Sequence, residues 1–117
     1  MITRFAVTGG RDFANESMVA AALDAMPEGA VLVHGAAKGA DTLSAAYWES
    51  LGRKTESHPA KWARHGRGAG LIRNHEMVRS GIETLVSFPG GRGTAHMTDL
   101  CKKAGVPVIY AAELNKS

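Results

Sequence analysis

A single cysteine, Cys101, stands in the 117 residues, which excludes an intrachain disulfide framework and leaves stability to a packed core. Such sparing use of cysteine fits a cytoplasmic setting. No apolar run reaches the roughly 20 residues that a membrane-spanning helix needs. The N-terminus carries no secretory pattern either, because Met1-Ile2-Thr3-Arg4 leads straight into a strand-like segment. A cytoplasmic protein with no membrane partner is therefore expected. The familiar nucleotide signatures are also missing. Lys38 is followed by Gly39, and the spacing before it does not make a G-x-x-x-x-G-K-[ST] loop. No G-x-G-x-x-G follows the first apolar segment. Both absences argue against P-loop chemistry and against dinucleotide-dependent hydride transfer. His34, His58, His65, His75 and His96 fall in no H-E-x-x-H or other zinc spacing, so no metal site and no cofactor is expected.

What is present is an alternation of buried-type segments and helical patterns. Ile2–Thr8, Ala30–His34, Thr55–His58, Thr84–Phe88 and Val106–Tyr110 read as strands. All but the short, polar third are continuously apolar, as in a parallel sheet covered on both faces. Between them lie four helical stripes. Met18, Val19, Ala22, Leu23 and Met26 form the first, with Asn15 as N-cap. Leu43, Ala46, Tyr47 and Leu51 form the second; Leu71, His75 and Val78 the third; Ala95, Leu100, Cys101 and Ala104 the fourth, stopped by Gly105. The pattern predicts one Rossmann-like α/β domain over residues 1–117, three layers deep, with a mostly parallel five-stranded sheet and helices on both faces. Residues 59–67 read as the longest irregular stretch, and residues 114–117 as a frayed end.

Three glycine turns follow buried-type strands and precede helices. They are Gly9-Gly10-Arg11-Asp12-Phe13, His34-Gly35 through Gly39-Ala40-Asp41, and Pro89-Gly90-Gly91-Arg92-Gly93-Thr94. In an open parallel sheet all three share the carboxyl edge, where ligands bind. Glycine permits close approach, and a helix start offers unpaired N–H groups to an anion. Charge follows the same direction. Residues 61–92 hold Lys61, Arg64, Arg67, Arg73, Arg79 and Arg92 against Glu76 and Glu83, although the whole chain carries only +3.

With Trp62, Gly70 and Arg73-Asn74-His75-Glu76-Met77 added to the three turns, the chain resembles the small stand-alone, YpsA-related branch of the SLOG superfamily over nearly its full length. The resemblance implies a Rossmann-like fold and a site for nucleotides or nucleotide-derived ligands. Relatives include lonely-guy phosphoribohydrolases, which split nucleoside monophosphates, and sensor domains for ADP-ribose-type signals. The phosphoribohydrolases resemble P-G-G-x-G-T-x-x-E, whose last residue is catalytic. Counting from Pro89, this chain has Met97 there, and a thioether cannot accept a proton as a carboxylate does. Asp12, Asp41, Glu76 and Asp99 are the carboxylates available to substitute, with Asp99 set on another face of the Met97 helix.

The leading expectation is a module that binds, by sensing or sequestration, a phosphorylated nucleotide-derived ligand such as a cyclic ADP-ribose-type signal. Its candidate ligand-binding residues are Gly9, Gly10, Arg11, Asp12, His34, Gly35, Gly39, Asp41, Trp62, Arg73, Asn74, Pro89, Gly90, Gly91, Arg92, Gly93 and Thr94. Arg11, Arg73 and Arg92 would neutralise phosphate, with an ion pair to Glu76 or to a neighbouring subunit as the other use for Arg73. Asp41 either caps its helix or reads ribose hydroxyls, and Thr94 either caps or meets phosphate. His34 could orient a base. Trp62 either stacks on a base or plugs a gap. Hydrolysis of an N-glycosidic or phosphate bond is the second reading and has no assigned catalytic residue. Single-stranded nucleic acid ranks last, because aromatics make up only 6% of the chain. A homo-oligomer is expected from Tyr47 and Trp48, read as exposed.

Overall fold

The computed structural model describes residues 2–114. Five strands form one sheet: β1 Arg4–Thr8, β2 Val31–His34, β3 Thr55–Ser57, β4 Thr84–Ser87 and β5 Val108–Tyr110. Their order is β3-β2-β1-β4-β5. Every pairing is parallel, so the sheet is wholly rather than mostly parallel. The helices are α1 Glu16–Leu23, α2 Ala40–Ser50, α3 Trp62–His65, α4 Ala69–Arg79 and α5 Arg92–Lys103. This is a Rossmann-like α/β domain.

Strand alternation divides the core in two. Phe5, Val7, Leu32 and Val86 point to one side and pack with Val19, Leu23 and Trp48 of α1 and α2. Ala6, Val33 and Leu85 point to the other and pack with Met77 of α4 and with Met97 and Cys101 of α5. Asn15 caps α1 as its position predicts, accepting from the Met18 N–H at 3.0 Å. Gly105, at φ +76°, follows the last turn of α5.

Several expectations are corrected here. The buried face of α2 is Ala40, Asp41, Ser44, Ala45 and Trp48, while Leu43 and Tyr47 are only partly buried and Ala46 and Leu51 are exposed. Small side chains let this helix approach the sheet, so its deepest face carries fewer large residues than its flank. Trp48 has no exposed surface, meets Phe5 edge-on at 5.1 Å and donates from Nε1 to the Ala30 carbonyl at 3.1 Å. It is a core residue, which removes it as a ground for expecting an oligomer. In α4 the buried residues are Ala69, Asn74 and Met77, whereas Leu71 and His75 are exposed. In α5, Ala95 and Ala104 are exposed, and the inner face runs Thr94, Met97, Thr98 and Cys101. Residues 59–67 are less irregular than expected, containing α3 and the start of a 3-10 turn at Gly66–Gly68. Leu114 follows a second such turn, Ala111–Glu113, and the remainder of the expected frayed end, 115–117, lies outside the described residues, as does Met1.

Candidate functional site

The three glycine turns meet at the carboxyl ends of β1, β2 and β4, and Gly10 joins them. Its N–H donates to the Pro89 carbonyl at 2.9 Å, and its own carbonyl accepts from Ala40 at 3.2 Å. The absence of side chains is what permits this junction. A Cβ on Gly9 would run into Ala40 and Phe88, one on Gly39 into the Gly10 and Arg11 carbonyls, and one on Gly90 into Thr94 Oγ1 and the Gly10 nitrogen. Gly39 also sits at φ +80°, where a side chain adds strain.

Above this junction opens a cleft of about 770 Å³. Of the expected site residues, Gly9, Gly10, Arg11, Gly35, Asp41, Trp62, Arg73, Asn74, Gly91, Arg92, Gly93 and Thr94 line it. Asp12, His34, Gly39, Pro89 and Gly90 do not. Asp12 is exposed outside the cleft, and the other four lie in or behind the packed turns. The wall includes Lys38, Arg67, Leu71, Met77 and Met97, which were not among the expected site residues. For Lys38 and Arg67, basic residues in a glycine turn and a basic loop were a usable signal. For Leu71 and Met77 there was none, because apolar positions on a helix read as core.

The middle turn is held from within. Asp41 Oδ2 accepts from Gly35 N–H at 2.9 Å and from Ala37 N–H at 3.4 Å. His34 Nδ1 accepts from Ala36 N–H at 3.0 Å, which places the proton of the neutral ring on Nε2. Ala36 lies at φ +57°, a strained position for a residue with a Cβ, and these bonds fix it. Asp41 is thus neither the side-chain cap of its own helix nor an idle carboxylate, since it organises the loop before it. Burial raises its pKa, opposed by those backbone donors and by the Arg73 charge. Burial also lowers the pKa of His34, with Asp41 pulling the other way.

The third turn is open. α5 begins at Arg92, three residues earlier than a helix from Ala95 would, and takes Gly91 as N-cap without a side-chain cap bond. Arg92, Gly93 and Thr94 therefore form its first turn, whose N–H groups lack intrahelical acceptors. Asn74 braces this turn, placing Nδ2 at 3.4 Å from the Gly93 carbonyl and 3.1 Å from His96 Nδ1. Burial lowers the pKa of His96, and the neighbouring His75 adds to the effect.

Electrostatically the wall is one-sided. Among the described residues, Arg11, Lys38, Arg67, Arg73 and Arg92 line the cleft with Asp41 as the single acidic side chain. Arg73 is half-buried and donates from Nη1 to the Gly35 carbonyl and from Nε to Asn74 Oδ1, rather than pairing with Glu76. Burial lowers its pKa and Asp41 raises it; a guanidinium in such surroundings stays charged. The other carboxylates weighed as stand-ins for the missing glutamate, Asp12, Glu76 and Asp99, lie off the wall and are exposed. Met97 reaches the cleft floor but is 1% exposed and packs in the core with Met77 and Cys101. Among the described residues no helix is long and apolar enough to cross a membrane. Nor do three His, Cys, Asp or Glu side chains gather there as metal ligands do.

Residues 3–65, which carry the first two glycine turns, match the model of the YspA, cpYpsA-related SLOG family. A Mycobacterium phage D29 protein described as Gene 61 protein is 40% identical, and the alignment covers 91% of this chain and 94% of that relative. Fold, turn placement and these similarities agree, and the chain belongs to the YspA, cpYpsA-related SLOG family.

Proposed function

We propose that the cleft binds a phosphorylated, nucleotide-derived ligand and holds it without turnover. The observation that carries this reading is the uncapped start of α5, opening into a cleft walled by five Lys/Arg and one Asp. A helix start of this kind stabilises an anion through its N–H groups and dipole. The phosphate ground is narrower than three equal turns, because Asp41 and His34 already use the N–H groups of Gly35, Ala36 and Ala37. Phosphate belongs at Gly91–Thr94, with Arg92, Arg11 and Arg73 around it. A signalling nucleotide of the ADP-ribose type is the ligand class that this reading favours, sensed through a partner or sequestered.

Hydrolysis is the competing reading, and one observation keeps it specific: Asp41 is the carboxylate that lines the cleft. Its Oδ2 is committed to the loop, and Met97 fills the place of the catalytic glutamate with an apolar side chain. Holding is favoured for that reason. The deciding experiment incubates the protein with AMP and with ADP-ribose, then records native mass spectra and the small-molecule products. Retained, intact ligand is expected. Turnover abolished by Asp41→Asn would replace holding with hydrolysis, and no complex with either compound would end the nucleotide reading.

A further inference from the structure

Trp62 is 49% exposed, an unusual state for a tryptophan whose ring lines a cleft. It opens α3, a helix with no buried residue, in a segment from Pro59 to Gly68 that has none either. Packing in the core therefore does not explain the ring. Its Cη2 lies 3.5 Å from where a Cβ on Gly70 would stand, so the ring rests beside a residue that leaves space. Its face is turned to the cleft, because the Arg11 guanidinium from the first glycine turn lies over it at 5.7 Å from the ring centre. Leu71, 47% exposed, adds an apolar edge on the same rim. The rim thus offers a flat aromatic face, a cation on that face, and an apolar border, beside a wall that is strongly basic.

We propose that Trp62 gives the cleft its preference for a nucleobase over a bare sugar phosphate, and that Arg11 covers the ring until a base takes its place. This rests on the phosphate-binding reading above and adds the other end of the ligand. A base stacks on the indole face; Arg11, released from the ring, turns to the phosphate. One residue thus couples the base position to the phosphate position. An exposed ring whose face is held by a long flexible cation is ready for exchange, because the cation–π contact is weak at an exposed site.

The test compares AMP with ribose 5-phosphate, two probes that differ by the base, by calorimetric titration of the wild-type protein, Trp62→Ala and Arg11→Ala. Wild-type protein is expected to bind AMP about tenfold more tightly than ribose 5-phosphate, the order that stacking of one base supplies. Trp62→Ala should erase that ratio by weakening AMP, with ribose 5-phosphate bound no less tightly because Arg11 is then free for either phosphate, and Trp62→Phe should restore part of the ratio. Arg11→Ala should weaken AMP more than ribose 5-phosphate, because only a base frees Arg11 for the phosphate, and so narrow the ratio without erasing it. A ratio that survives Trp62→Ala, or one that Arg11→Ala leaves unchanged or abolishes, overturns the assignment although phosphate binding stands. Failure of wild-type protein to bind either probe removes the phosphate-binding reading itself, and this inference with it. Because the Trp62 side chain is outside both cores, the variants should keep the wild-type melting temperature, and a large fall would show a structural role instead.

Discussion

Arg73 donates to the carbonyl oxygen of Gly35, a residue 38 positions earlier, and thereby ties α4 to the end of β2 across the cleft. Among the described residues no carboxylate lies within ion-pair distance of its guanidinium. Its charge is held in place by a carbonyl and an amide oxygen, which orient it without neutralising it. That arrangement suits a cation kept for an incoming anion.

Arg73→Ala should accordingly weaken AMP binding by about tenfold or more, the order of a lost charge-assisted hydrogen bond. Arg73→Lys should recover little of this, since an ammonium cannot hold the Gly35 carbonyl and present a second planar face together. Calorimetric titration at two salt concentrations checks both, and an unchanged affinity in Arg73→Ala would remove this residue from the site.

Asp41 makes stability depend on pH in a defined direction. Burial raises its folded pKa above the unfolded value near 3.8. The folded state then binds its proton more tightly, so the contribution favours folding below the unfolded pKa. It is lost as pH rises from about 3.8 through the folded pKa. Asp41→Asn lacks this titration. The melting temperature of wild type relative to Asp41→Asn should fall over that rise and then level off. Parallel curves from pH 3 to 8 would mean that Asp41 is not desolvated in solution.

Replacing Met97 by glutamate should not create a hydrolase. The side chain is 1% exposed among Ala6, Val33, Met77 and Cys101, so a carboxylate there is buried without a built partner. The expected cost is about 3 kcal/mol or more, against less than about 1.5 kcal/mol for Met97→Leu. Thermal melts together with an AMP product assay test this; a stable and active Met97→Glu protein would show that the cleft floor is wetter than its packing implies.

Two neighbouring glycines should behave differently. A Cβ on Gly90 meets the Gly10 nitrogen at 2.6 Å, whereas one on Gly91 meets nothing within 4 Å. Gly90→Ala should lose about 1–3 kcal/mol as the two turns are forced apart. Gly91→Ala should keep near wild-type stability while obstructing an anion at the α5 start. Equal melting temperatures for the two variants would contradict the turn junction.

Ser44 offers a stabilising change. Its Oγ is buried and without a hydrogen-bond partner among the described residues. Ser44→Ala removes that unmet group and adds helix propensity, so a gain of about 1 kcal/mol is expected in denaturant unfolding. A loss would point to an acceptor or water at that hydroxyl.

The strands, the parallel sheet and the glycine turns at its carboxyl edge were legible in the chain alone. Those features rest on local rules: continuous apolar runs, glycine where a Cβ cannot fit, and Asn15 where a helix start needs an acceptor. The sequence also singled out Arg11, Arg73, Arg92 and Trp62, which the structure brings to the cleft wall. Which faces are buried and which turns have N–H groups to spare depended on how the elements pack together. Trp48 went inside because its ring packs edge-on against Phe5 of the sheet, and Leu71 went to the cleft rim because α4 turns Ala69, Asn74 and Met77 inward. Asp41, His34 and the middle turn satisfy one another through contacts that spacing alone does not specify. Lys38 and Arg67 reached the wall through the folding of their loops. Period and propensity are properties of a segment, whereas a cleft is a property of segments brought together, and its charge and shape exist only once they pack.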